Sequence, residues 1–399
     1  MRKPTVIFAT LGVASAMALT GCGSSSSDDG SSSGSSQKIT AACKLDSPPK
    51  SGASPAPTAA STEKVSGKVG VILPDTTSST RYTTYDQPLL QKALSAAGIT
   101  PDIQNAQGDK NKFASIAQSQ IGGGAKVLII DSIDAASGAG VEKQADSAGV
   151  KVIDYDRINL GGTAGYYVSF DNEDVGKLQA QTLVDCLDKQ NVKKPTIIMM
   201  DGGTDVDNNA VLFKKGAHEV LDPLVKAGKL KIEQEAVVKG WKVENAAPTF
   251  TQALTASGGK VDGVLAANDD IANAVIGVLK NQGLDGHVVV TGQDSGVEGI
   301  QNIITGKQSM TIFKNVKDEA NAAATLAIAL IGGKDPSSAG LTLTKFDDPQ
   351  DASHNVQALL LPSQVITQAN VQDVIDSGAL TKDEVCKGIT SDCSKLGIK

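Results

Sequence analysis

Val152–Gly176 reads VIDYDRINLGGTAGYYVSFDNEDVG, and its first residues set a pattern that the chain repeats. Val152 and Ile153 close a short apolar run, and Asp154, Tyr155, Asp156 and Arg157 follow at once. In an open parallel α/β sheet, ligands sit outside the carboxyl ends of the strands. An arginine beside a carboxylate there sets a planar fork of donors next to strong acceptors. A solvated loop salt bridge explains one such tetrapeptide equally well. Repetition favours the ligand site: strand-like runs also end in LPD (Leu73 to Asp75), IIDS (Ile129 to Ser132), MMDGG (Met199 to Gly203), AANDD (Ala266 to Asp270) and TGQD (Thr291 to Asp294). Carboxylates and amides recurring at strand ends suit a ligand rich in hydroxyls.

Working outward, apolar runs of four to six residues alternate with amphipathic segments. Strands are expected at 68–73, 125–130, 151–154, 196–200, 263–267 and 288–291. Helices are expected at 88–97, 138–148, 175–187, 208–221, 246–256 and 271–282, with Gly98 and Gly149 stopping the first two. Short apolar strands between amphipathic helices give an α/β fold of parallel sheets covered on both faces. The body from Val65 onward holds about 330 residues, which is comfortable for two lobes rather than one core.

The amino terminus reads differently. Arg2 and Lys3 precede an apolar segment from Val6 to Leu19 that is too short to span a bilayer comfortably and has the charge pattern of a secretory signal. Leu19-Thr20-Gly21-Cys22 closes it and resembles the lipobox of bacterial lipoproteins, which makes Cys22 the expected acylated first residue of the mature chain. Residues 1–21 are therefore expected to be a lipoprotein signal peptide. Residues 22–64 are expected to be a lipid-anchored flexible linker, because Gly23 to Ser36 is almost all Ser, Gly and Asp and cannot build a core. The protein is then extracytoplasmic and held at the cell membrane. Without Arg2 and Lys3, the 37 basic residues become 35 against 44 acidic ones, a formal charge of -9. No basic patch with interleaved aromatics offers itself to nucleic acid. With Cys22 acylated, four cysteines remain in an oxidising compartment. Cys386 and Cys393 enclose a short polar loop and form the more readily expected bridge, and Cys43 with Cys186 is left by elimination.

The chain also resembles the periplasmic-type sugar-binding proteins of the ribose/galactose class, in particular the D-xylose receptors of ABC importers. YDR at Tyr155, SFDNEDVGKLQA from Ser169, DVDNNA from Asp205, GW at Gly240, AAND from Ala266, TGQD from Thr291 and MTIFK from Met310 carry the resemblance, in that order. It runs from about Lys68 to Gly332 and more weakly to Lys399. It implies a type I periplasmic binding protein with two lobes joined by three crossovers: 65–169 with 312–340, and 170–311 with 341–399. It implies a monomer that captures a monosaccharide, D-xylose first, and delivers it to an ABC permease, with no cofactor, no metal and no catalysis.

The implied ligand-binding residues are Arg81, Tyr82, Asp156, Arg157, Asn209, Trp241, Asn268, Asp294 and Lys314. Arg81 would donate to sugar oxygens and Tyr82, where the family usually has Trp, would lie against a ring face. Asp156, Arg157, Asn268 and Asp294 come from strand ends, Asn209 presents an amide, Trp241 offers the other aromatic face, and Lys314 follows the return strand. Plainer readings exist for several of these: Arg81 as a surface charge, Trp241 as core, and the neighbouring Asn208, Asp269 and Asp270 as helix caps.

Catalytic signatures are weak. His218, His287 and His354 lie far apart and outside any metal-spacing motif. Asp201-Gly-Gly-Thr-Asp-Val-Asp lacks the sixth-position glycine and closing Glu of a calcium loop. Gly122-Gly123-Gly124 precedes a strand, the wrong side for a phosphate cradle. A lipid-anchored carbohydrate-active enzyme is the alternative reading, since paired carboxylates can act as acid and base. A sugar-responsive repressor would need a DNA-binding headpiece where this chain has a signal.

Overall fold

Strand β1, Lys68–Leu73, buries every residue except Lys68, as a continuous apolar run in a doubly covered parallel sheet must. The computed structural model describes residues 39–53 and 59–399. β2 (Asp102–Asn105), β3 (Ala125–Ile130), β4 (Lys151–Tyr155) and β5 (Tyr166–Phe170) join β1 in a first sheet. A second sheet holds β6 (Thr196–Asp201), β7 (Lys231–Val237), β8 (Gly263–Ala266) and β9 (Val289–Val290), in the order β7-β6-β8-β9 and all parallel. β10 (Thr311–Phe313) follows. β11 (Thr344–Asp347) and β12 (Asn355–Leu361) then complete the first sheet as β11-β12-β5-β4-β3-β1-β2, in which only β11 runs antiparallel. β13 (Gln364–Ile366) pairs antiparallel with β10.

Each sheet is packed on both faces. On the first, Val71, Leu73, Ile129 and Ile153 meet helices 87–96 and 316–331, while Ile72, Leu128 and Ile130 meet helices 110–122 and 135–147. On the second, Ile198, Met200 and Val264 face helices 246–256 and 269–281, and Ile197, Met199 and Leu265 face helices 172–189 and 208–226. Helices 172–189 and 208–226 meet nearly backbone to backbone. A Cβ on Gly176 would stand 2.0 Å from the Phe213 carbonyl oxygen, and one on Gly216 1.9 Å from that of Glu173. Only glycine permits that approach. The fold is thus α/β, two parallel-dominated sheets each flanked by helices.

Three passages join the sheets: from β5 into helix 172–189, from β10 into helix 316–331, and from β12 into β13. Residues 341–361, expected with the second lobe, instead place β11 and β12 on the first sheet. β12 supplies the parallel neighbour that β5 otherwise lacks on that side. The expected elements also omitted β2, β5, β7, β11 to β13, the helices 110–122, 297–304 and 316–331, and the short helices after 371. β7 is mostly half-buried, with several polar residues, at a sheet edge and carries little apolar signal.

The linker expectation needs correction in its described part. Ala41 and Cys43 are buried, Cys43 is bonded to Cys186, and Lys50 bridges to Gln364. Further on, the Ser61 amide donates to Thr325 Oγ1. This stretch is seated on the body rather than free. The second disulfide, Cys386–Cys393, closes the short loop near the carboxyl terminus. The signal segment, Cys22 and the Ser/Gly tract lie outside the described residues.

Candidate functional site

Strand order reverses about β1, which lies between β2 and β3, and about β6, which lies between β7 and β8. Such switch points open a crevice at the strands' carboxyl ends. One cavity collects the loops from both sheets there, with an empty volume of about 310 Å³ including its mouth. All nine residues expected from the sequence line it: Arg81, Tyr82, Asp156, Arg157, Asn209, Trp241, Asn268, Asp294 and Lys314. Ser78, Ser79, Asp207, Phe213 and Gln293 complete the wall.

The nine do not all keep free polar atoms. Arg81 is buried and committed: Nε and Nη2 donate to Asp86, Nη1 to Asp156, and Nη2 again to Glu319 at 2.5 Å. Its expected role as a donor to ligand therefore shrinks to one remaining hydrogen on Nη1, and its main work is to hold Asp156. Asp156 sits in the left-handed region at φ 59° and also accepts from the Tyr82 hydroxyl at 3.2 Å. Burial works to raise the Asp156 carboxyl, but Arg81, Lys314 and Arg157 outweigh it and hold the group below its usual range. The Tyr82 ring has the guanidinium of Arg81 at 5.7 Å and that of Arg157 at 5.6 Å from its centroid. These contacts fix the ring in place.

Arg157 donates from Nη1 to the Ser132 carbonyl and from Nη2 to Ser78 Oγ, while its Nε keeps no hydrogen-bond partner. Asp207 Oδ2 lies 3.5 Å and Asp131 Oδ1 3.7 Å from that Nε. Asp131, in the IIDS strand end, is fully buried with neither carboxylate oxygen hydrogen-bonded, and burial pushes its carboxyl well up.

From the second sheet, Asp207 accepts from Trp241 Nε1 at 3.0 Å and caps helix 208–226 through the Asn209 amide. The indole lies over Gly202 and Gly203, where any Cβ would strike it, and stands edge-on to Phe213. Asn209 Nδ2 donates one hydrogen to the Asp156 carbonyl, and its Oδ1 accepts from the Tyr167 hydroxyl and Asn172 Nδ2. It ties the two sheets together. The caps are Asp207 and Asn268, one residue before the positions suggested by the sequence. Asn268 Oδ1 accepts from the Ile271 amide, leaving its Nδ2 hydrogens for the cavity. Asp294 has φ 92°, and its Oδ1 faces Lys314 Nζ at 3.3 Å without a hydrogen-bond partner. Lys314 Nζ also stands 5.6 Å from the Phe170 ring centroid and 5.8 Å from that of Phe213.

The additional wall residues were within reach of the sequence. Asp207 belongs to the DVDNNA motif, Gln293 to TGQD, and Phe213 lies one helical turn after Asn209. Ser78 and Ser79 follow the LPD strand end without a motif of their own. Charges on the wall balance, with Arg81, Arg157 and Lys314 against Asp156, Asp207 and Asp294. Aromatic rings come from both sheets. Among the described residues, no group of three or more His, Cys, Asp or Glu is placed to hold a metal ion, and no helix is long and apolar enough to cross a membrane.

The cluster beneath the cavity carries a pH dependence. Burial is the largest influence on Glu319 and, despite Arg81, pushes its carboxyl up to about 8. A carboxyl raised in the folded state lends stability that is lost as pH climbs through the folded value. Thermal midpoints should therefore fall between about pH 5 and pH 8. Glu319→Gln should flatten that portion of the curve, and an unchanged slope in the variant would refute the assignment.

Known proteins share this architecture. The family model for the periplasmic binding protein domain matches residues 69–335. The chain is 35% identical over 298 residues to the D-xylose-binding periplasmic protein of Escherichia coli, covering 75% of this chain and 86% of that one. It is 34% identical over 334 residues to a multiple sugar-binding periplasmic receptor of Rhizobium radiobacter, covering 80% and 92%. The crystal structure of a carbohydrate transporter solute-binding protein from Chloroflexus aurantiacus, in complex with D-glucose, superimposes with a TM-score of 0.71 at 28% identity, over 80% of this chain and 98% of that one. With the family match across both sheets and relatives aligned over most of their own length, the chain belongs to the periplasmic binding protein family.

Proposed function

We propose that this protein is the lipid-anchored, extracytoplasmic receptor of a monosaccharide ABC importer, closing its two lobes around an uncharged sugar and presenting it to a membrane permease. The observation that carries this reading is the charge-balanced cavity: three cations, three carboxylates and aromatic rings from both sheets around about 310 Å³. A neutral polyol satisfies such a wall without leaving a net buried charge, whereas an ionic ligand would unbalance it. D-xylose is the first candidate because of the relatives at 35% identity, and D-glucose is the competitor because of the glucose-bound structure. The alternative of a carbohydrate-active enzyme finds less support, since the relatives that align over most of their own length are sugar-binding proteins.

Trp241, the only tryptophan, lies in the cavity wall. A fluorescence titration of the purified protein should give a saturable change with D-xylose and weaker or no change with glucose and other pentoses. Trp241→Phe should abolish the signal while calorimetry still detects binding. Silence for every sugar by both methods would overturn the proposed function and leave the fold untouched.

Anchoring rests on Leu19-Thr20-Gly21-Cys22. Diacylation of Cys22 gives two buried chains, which hold stably where one would not. Cell fractionation should find the wild type with membranes and Cys22→Ser released; a serine variant still wholly on membranes would end the proposal.

A further inference from the structure

A second, larger cavity of about 750 Å³ adjoins the passage from β10 into helix 316–331. Its apolar wall is built by Tyr85, Leu89, Phe313, Val316 and Leu380, which come from the first sheet's helices, the passage itself and the carboxyl-terminal segment. Only Asp294 and Lys314 line both this cavity and the charge-balanced one. The chemistry differs between them. Here the charged wall residues are Lys92, Lys314 and Lys317 against Asp294 alone. Ser295, which lines this cavity and not the other, is 3% exposed and its Oγ has no hydrogen-bond partner. Asp294 and Ser295 are also consecutive non-glycine residues held at φ 92° and 56°. Backbone strain of this kind collects where a structure presents groups to a ligand.

We propose that this cavity binds a small amphipathic monoanion, with an aromatic or branched apolar body against Tyr85, Leu89, Phe313 and Leu380. Its carboxylate or sulfonate meets the lysines, and one of its acceptors meets the Ser295 hydroxyl. The excess of ammonium groups selects an anion, and the apolar wall excludes a sugar. Lys314 cannot serve both cavities at once, so an anion drawn to it weakens what it offers to the sugar. Coupling between the two ligands is therefore negative, and by linkage it is equal in both directions. That coupling rests on the sugar reading of the first cavity; occupancy of the second does not.

The probe is 8-anilinonaphthalene-1-sulfonate, titrated by its own fluorescence into the purified protein. One saturable site per chain is expected. Ala379→Trp, which fills the cavity from a half-buried wall position outside the sugar chamber, should abolish the site while leaving sugar affinity in the absence of probe unchanged. Lys92→Glu, on an exposed helix position, should weaken the probe several-fold and stands in if the tryptophan variant does not fold. Saturating probe should raise the dissociation constant for D-xylose by roughly tenfold, the scale of one hydrogen bond to a charged group. Saturating xylose should raise that of the probe by the same factor. Probe binding that is indifferent to Ala379→Trp or Lys92→Glu, or that leaves sugar affinity unchanged, overturns the proposal. If no sugar binds, the importer reading fails, and the probe titration with its two variants still decides the cavity.

Discussion

Replacing Arg81 by alanine should lower the folding stability by on the order of 3–5 kcal/mol, the usual cost of breaking a buried ion-pair cluster from one side. Arg81 is 3% exposed and is the shared partner of Asp86, Asp156 and Glu319. Without it, the buried Asp86 and Asp156 carboxylates and the Glu319 carboxyl face one another, and Tyr155, which donates to Asp86 at 2.5 Å, is left in the same pocket. For a lobe of this size, the loss corresponds to a thermal midpoint lower by roughly 10 °C. Arg81→Lys should recover only part of it, because an ammonium cannot reproduce the planar fork that engages Asp86 through two nitrogens. Calorimetric melting of the three proteins at neutral pH is the measurement. A midpoint within two or three degrees of wild type for the alanine variant would mean that the cluster reorganises at little cost.

Asp294→Ala should weaken sugar binding by on the order of 2 kcal/mol, roughly thirtyfold, with a much smaller effect on melting. Most polar atoms in the cavity wall already have protein partners. Asp294 Oδ1 has no hydrogen-bond partner and lies 3.3 Å from Lys314 Nζ, and the side chain is 18% exposed, so the carboxylate as a whole can still accept from a hydroxyl. Asp294→Asn keeps the shape and a neutral hydrogen bond, and should fall between the two. Calorimetric titration separates affinity from stability here, whereas the Trp241 signal alone would not. Equal affinity for wild type and alanine variant would remove Asp294 from the proposed site.

Much of this was legible before any coordinates. Continuous apolar runs of four to six residues identify doubly covered parallel strands, because their burial on both faces leaves no polar alternation. Polar clusters at the ends of those runs mark where a ligand belongs, because parallel sheets open their crevices there. That reasoning marked Asp156, Arg157, Asn268 and Asp294, and the family resemblance added the other five residues that share the cavity. Edge strands were harder. β2 and β7 carry polar and half-buried residues and lack the periodicity by which strands are recognised.

What a sequence determines is which groups arrive at a site, since local patterning and strand order carry each side chain to the same end of its sheet. Which of those groups still has a free donor or acceptor is a tertiary matter. Arg81 is spent on carboxylates from residues 86, 156 and 319, and Asn209 on partners from residues 156, 167 and 172. Nothing in the spacing of those positions announces that they meet. The allocation of β11 and β12 to the first sheet is of the same kind. Strand propensity is local, but a choice between two sheets depends on which edge lacks a neighbour, and only the folded chain decides that.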